Sequence, residues 1–145
     1  MCVLSGSLLL TPSGEVPIET LSEGDIISTN EGDRRVKGIT IIESFDDQPD
    51  VPVCLYKSSV SEGVPSQDLW ISRFHRFEYL GEMKCMDDFV SCKVKRFMSY
   101  ATWMMKRERR HFVYYHVQVD VESYYVNGCL VEACGHRHPA RCQNI

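Results

Sequence analysis

Cys2-Val3-Leu4-Ser5-Gly6-Ser7-Leu8-Leu9-Leu10-Thr11-Pro12-Ser13-Gly14-Glu15-Val16-Pro17-Ile18-Glu19 opens the chain, and Leu21-Ser22-Glu23-Gly24-Asp25 follows closely. The stretch reads as short extended segments cut by turn residues. Ser7 to Thr11 is an apolar run, Pro12-Ser13-Gly14 is a turn, and Glu15 to Thr20 is extended again. Gly and Pro punctuate a chain this way because Gly reaches positive φ without strain and Pro fixes φ. Ser22-Glu23-Gly24-Asp25 is too short for a helix and reads as another turn.

The same rhythm continues to the far end. Asp25 to Thr29 is extended, Asn30-Glu31-Gly32-Asp33 turns, and Val36 to Ser44 is a β-branched run. Val51 to Lys57 and Asp68 to Ser72 continue the pattern, and Arg76 to Leu80 runs into Gly81. His111 to Asp120 and Ser123 to Val126 end the strand-rich part at Asn127-Gly128, a hairpin-type pair. Short strands at this spacing predict an all-β sandwich, barrel or similar closed sheet. Two segments break the pattern. Asp46 to Asp50 is acidic, contains Pro49 and reads as a loop. Phe97 to Arg110 carries Tyr100, Trp103, Met104 and Met105 and reads as a short helix or a long insertion. The polar tail from Gly135 to Ile145 extends beyond the sheet.

Composition narrows the function. The 145 residues are 43% hydrophobic and 25% charged, which suits one folded domain that needs no disulfide staple. Sixteen basic against twenty acidic residues give a net charge of −4, so no nucleic-acid backbone is an expected partner. The basic cluster Lys106, Arg107, Arg109 and Arg110 reads as a solvated turn or helix end. No apolar run has the length of about 18 residues that a membrane span needs. Met1-Cys2-Val3-Leu4-Ser5 has neither a charged leader nor a cleavage site, so no signal peptide is expected. The seven cysteines are an odd number, and most read as free thiols in a reducing intracellular compartment. A secreted protein with some pairs is the alternative.

Three sets of residues could carry chemistry. Cys2 could attack the carbonyl that precedes it and convert an amide into a thioester. That N-to-S shift is uphill, so it needs a thiolate, a polarised carbonyl and a protonated leaving nitrogen. His75, in Ser72-Arg73-Phe74-His75, follows a strand-like run, and a short turn would bring hydroxyl and imidazole to one small site. Histidine both donates and accepts a proton near neutral pH. Cys129, Cys134, His136, His138 and Cys142 form the third set. Thiolates and imidazoles bind zinc, but this spacing is not a standard zinc pattern. Each residue also has an ordinary reading: a buried apolar thiol, a histidine bonded to a carbonyl, or incidental ligands in a tail.

Read together, the blocks resemble Hint domains, the hedgehog/intein superfamily. The opening quoted above has that family's cysteine, nearby Gly, apolar strand, Gly turn and apolar-Glu pair, followed by the Leu-x-x-Gly-Asp turn of Leu21 to Asp25. Ser72-x-x-His75 is similar to the family's Thr/Ser-x-x-His motif. Tyr115 to Tyr124 with Asn127-Gly128 resembles the late strand pair that closes the fold. The resemblance spans residues 2 to 134. It implies a compact all-β Hint fold with a pseudo-twofold repeat, neighbouring termini and a cysteine in a central cleft. It implies an autoprocessing domain over 1–134 and a tail over 135–145. Cys2 would be the nucleophile, His75 would protonate the amide nitrogen of Cys2, and Ser72 would hydrogen-bond the scissile peptide. His116 falls where many inteins carry Asp and would assist as an acid or base. Hedgehog-type, bacterial intein-like and von Willebrand-associated modules are the relatives implied, and Cys134-Gly135-His136 favours the last group.

The departures limit the chemistry. Inteins usually end in His-Asn, whose Asn cyclises; the matching pair here is Glu132-Ala133, and the late strand histidine is Glu122. Asn144 is followed by Ile145, which supplies no nucleophile. The N-terminal thioester step is therefore the expected half, with release to water, a thiol or an amine. The substrate would be the upstream polypeptide of the same precursor, and Met1 reads as a stub of it or a start codon. No cofactor is expected, and a metal would inhibit through Cys2 and His75. Two alternatives stand beside this: a catalytically silent Hint-like binding module, and a small zinc-binding β-domain organised by the tail ligands.

Overall fold

The computed structural model describes residues 2–45, 52–72, 74–85, 88, 97–99 and 111–133. Fourteen strands are found among these residues, in two sheets. β1 is Val3–Leu4, β2 Leu8–Thr11, β3 Gly14–Pro17, β4 Ile26–Thr29 and β5 Gly32–Arg35. β6 is Gly38–Phe45, β7 Val53–Leu55, β8 Leu69–Ile71, β9 Phe77–Tyr79 and β10 Glu82–Lys84. β11 is Phe97–Ser99, β12 His111–Gln118, β13 Ser123–Val126 and β14 Cys129–Glu132. A 3-10 turn, Ile18–Thr20, follows β3. The all-β expectation holds.

The first sheet runs β11-β7-β8-β1-β12-β6. The second runs β10-β9-β14-β13-β2-β3, with β4 on β13 and β5 on β4. The long strands β6 and β12 pair antiparallel over their whole length, from His111 opposite Phe45 to Gln118 opposite Gly38. Such a pair has its own local twofold. Hairpins β2–β3 and β4–β5 from the first half of the chain, and β9–β10 and β13–β14 from the second, make up the second sheet.

The register assigns each face its side chains, because neighbours along a strand point to opposite faces. Val3, Val53, Leu55, Leu69, Ile71 and Val117 turn inward to the main core with Leu9, Phe77, Tyr124, Val126 and Val131 of the second sheet. Burying side chains of this size stabilises the fold by about 1.5–3 kcal/mol each. The opposite face of the first sheet carries a smaller cluster: Cys2, Phe112 and Tyr114, flanked by Leu4, Ile42 and Trp70. Cys2 is thus packed on the face that the main core does not use.

Several sequence expectations are corrected. Phe97 to Ser99 is a strand, not the start of a helix: Phe97, Met98 and Ser99 pair with Leu55, Cys54 and Val53 and so cover the β7 edge. Residues 100–110 of that segment lie outside the described residues, as do the 46–50 loop and the 135–145 tail. Glu15 to Thr20 is not one strand. It ends at Pro17, which has no N–H to continue a ladder, and Leu21 N–H closes the next turn on the Ile18 carbonyl at 3.2 Å. Gly32 and Asp33, read as turn residues, begin β5; Thr29 opposes Gly32, so the turn is only Asn30-Glu31. The strands also continue past Asn127-Gly128 into β14.

Candidate functional site

β1 is only two residues long, yet it is held on both sides. Val3 faces Ile71 of β8 and Tyr115 of β12, and Leu4 faces Tyr114. Extending both registers by one residue sets Ser72, Cys2 and His116 in one row across three strands. His116 in turn faces Thr40 of β6. Residues opposite one another in a ladder share a face, so hydroxyl, thiol and imidazole come together by register alone. Cys2 and His75 are 0% exposed, His116 6% and Ser72 9%.

Hydrogen bonds fix Cys2 on both sides. Its N–H donates to Ser72 Oγ at 3.0 Å. That N–H belongs to the peptide bond that precedes Cys2. The Cys2 carbonyl accepts from the Ser72 N–H at 2.9 Å and also faces His75 Nδ1 at 3.1 Å. His75 is itself set by the turn after β8, where its N–H donates to the Ser72 carbonyl at 2.9 Å.

The other face of the imidazole meets the far end of the chain. His75 Nε2 lies 2.8 Å from the Glu132 carbonyl. One ring therefore bridges residue 2 and residue 132. The Glu132 N–H donates to the Arg76 carbonyl at 2.8 Å, and the buried Ala133 donates its N–H to the Glu122 carbonyl at 2.7 Å. The pair Glu132-Ala133 thus ends β14 at the same site as Cys2. Its Ala133 side chain offers no amide.

Both His75 nitrogens face carbonyl oxygens, which accept only. A neutral ring has one N–H and satisfies one of them; an imidazolium satisfies both. Burial opposes the charge. It outweighs both carbonyl contacts and lowers the His75 pKa from 6.5 to about 4, with a further lowering from nearby His116. The ring is accordingly neutral at neutral pH.

The structure brings Cys2, Ser72, His75 and His116 together. One detail differs from the sequence expectation: His75 is bonded to the carbonyl of Cys2, while Ser72 holds the amide N–H. Tyr124 was legible only as a strand residue. It is buried in the main core, and burial first and the charge of Cys2 second raise its phenol. The pattern of one strand could not have shown that a phenol on β13 feels a thiol on β1.

Two other described thiols, Cys54 and Cys129, are held protonated by their surroundings. Burial, with Asp68 nearby, pushes Cys54 up to about 12; burial, with Glu78 nearby, does the same for Cys129. None of the four described cysteines is in a disulfide. Of the tail zinc ligands only Cys129 is described, and it belongs to the main core. Cys134, His136, His138 and Cys142 lie outside the described residues. Among the described residues, no three His, Cys, Asp or Glu side chains stand together to hold a metal.

A family model for the Hint domain matches residues 1–136. Solved structures share the fold at low identity. The Ssp DnaB mini-intein variant M86 superposes with a TM-score of 0.62 at 13% identity, over 94% of this chain and 96% of that one. A bacterial intein-like domain from Clostridium thermocellum gives 0.58 at 16% identity, over 90% and 97%. The gp41-1 intein gives 0.59 at 14% identity, over 92% and 98%. No curated protein matches the sequence.

Proposed function

The chain belongs to the Hint domain family, and from that membership we propose that it is a cysteine-dependent autoprocessing domain that cuts the peptide bond preceding Cys2. The observation that carries the reading is the buried hydrogen bond from the Cys2 N–H to Ser72 Oγ. A side-chain hydroxyl on that particular N–H holds the bond that would break.

The step balances within the chain's own groups. Cys2 Sγ gives its proton to His116, the neighbour across β12, and attacks the preceding carbonyl carbon. The C–S bond forms and the C–N bond breaks. His75, neutral at rest, takes up a proton as negative charge develops on the attacked carbonyl. It turns from the Cys2 carbonyl and passes that proton to the nitrogen of Cys2, which leaves. His116 gives up the thiol's proton in exchange, so both rings end neutral. Ser72 holds the nitrogen in line. The products are a thioester on Cys2 and a free α-amino group. Water, a thiol or an amine then attacks the thioester, releases the upstream polypeptide and returns the thiol. No cofactor enters.

Ala133 supports stopping there, since Asn cyclisation needs a side-chain amide and Ala133 has none. The same residue favours the second reading, a Hint scaffold that binds without cutting. A folded tag fused directly upstream of Cys2 separates the two. Tag release accelerated by a thiol or hydroxylamine supports autoprocessing; an intact fusion under all conditions supports the silent scaffold.

Two substitutions grade the roles. Ser72→Ala removes one hydrogen bond of about 1 kcal/mol and should slow thioester formation about fivefold. His116→Ala should slow it further and remove one limb of its pH profile, read by gel over a pH series. An unchanged profile would discharge His116 from the role of base.

A further inference from the structure

Asn127 opens the turn between β13 and β14. Its φ is +49° and that of Gly128 is +73°, which suits the Asn-Gly pair of a tight hairpin. Turn residues ordinarily face water. Asn127 is 0% exposed.

Its side chain spans two segments that are distant in sequence. Oδ1 accepts from the Leu8 N–H at 2.7 Å and from Gln67 Nε2 at 3.3 Å. Nδ2 donates to the Asp68 carbonyl at 3.3 Å. The backbone adds to this: Asn127 N–H donates to the Leu8 carbonyl at 2.8 Å, and its carbonyl accepts from the Ser66 N–H at 2.8 Å. Leu8 begins β2, just after the chain has left β1. Asp68 immediately precedes β8. β1 belongs to the first sheet and β2 to the second. The amide therefore joins the sheets where the chain crosses between them.

β1 and β8 run antiparallel, with Val3 opposite Ile71. Cys2 and Ser72 meet at one end of that pair. Leu8 and Asp68 approach at the other. A two-residue strand does little to specify its own register, and a slip of one residue would turn Cys2 to the wrong face. We propose that Asn127 is a positioning residue: its amide ties Leu8 to Asp68 and so sets the register of β1 against β8 that brings Cys2 to Ser72. Its effect on processing rests on the autoprocessing reading; its effect on register does not.

The test uses the full chain in two variants. Asn127→Gly keeps the left-handed turn and removes the amide. Asn127→Asp keeps the shape and the acceptor but sets an oxygen against the Asp68 carbonyl. Amide hydrogen exchange by NMR reads the Cys2 and Ser72 N–H groups, whose bonds join the two segments. Their protection should fall in both variants while the β6–β12 ladder keeps its protection. Unchanged protection at Cys2 and Ser72 would overturn the proposal. So would an equal loss in the β6–β12 ladder, because that reports general stability alone. In the upstream fusion, Asn127→Gly should slow tag release about 10²-fold, the cost of a misplacement of order 1 Å; release at the wild-type rate would overturn the proposal too. A wild-type fusion that never releases its tag sinks the autoprocessing reading, and the exchange result then decides the register.

Discussion

Cys2→Ala should leave a folded domain that releases no upstream polypeptide. The thiol is the one group of the chain that bonds to carbon in the proposed reaction, so its loss is not partial. The cost to the fold is small. Cys2 is 0% exposed, but its hydrogen bonds to Ser72 and His75 run through the backbone, which alanine keeps. The substitution removes one sulfur from the Phe112–Tyr114 cluster, comparable to a buried methylene at about 0.8 kcal/mol. A gel of the tag fusion with hydroxylamine reads the activity, and a thermal melt reads the fold. Release that persists in Cys2→Ala would defeat the mechanism, whatever the melt shows.

His75→Ala should slow thioester formation by about 10²–10⁴-fold, the usual worth of a positioned acid. It should also weaken the domain by about 1–3 kcal/mol, since the neutral ring donates to one of the Cys2 and Glu132 carbonyls and that bond is lost, while the Cys2 carbonyl keeps the Ser72 N–H. His75→Gln keeps one donor and separates the effects: the fold recovers in part and the rate does not. Acid gives an independent reading. Burial holds the folded ring neutral down to about 4, whereas the unfolded ring titrates near 6.5. Between those values the unfolded chain binds a proton that the folded chain refuses. Stability should therefore fall as pH drops through 6.5 and level off below about 4, by about 3 kcal/mol in all. Denaturant titrations at neutral pH and in this window should show that slope in the wild type and its loss in His75→Gln. A slope that survives the substitution would assign it to other groups.

These two residues also show how far linear reading reaches. Ser72-x-x-His75 is a local motif, and a four-residue turn after a strand is dictated locally; the His75 N–H bond to the Ser72 carbonyl is that turn. The opening strands, the Asn127-Gly128 hairpin and the all-β class were equally legible, because alternation and turn chemistry act within a few residues. β5 and β10 were not. Gly32–Arg35 and Glu82–Lys84 are polar and carry no apolar period, and only ladder bonds to β4 and β9 make them strands. β11 was misread for the same reason, its state being set by β7.

The sequence by itself determined which groups this protein has for chemistry and roughly where the chain turns. Tertiary structure decided which of those groups meet. The Cys2–His116 relation comes from β1–β12 register, across more than a hundred residues of chain, and no local pattern encodes a register. That His75 faces the Cys2 carbonyl depends on where the turn after β8 meets β1, which is likewise a matter of strand pairing. Asn127 was legible as a turn residue because turns are local. Its second role required Leu8 and Asp68 to arrive beside it, and only the closing of two sheets on each other brings them there.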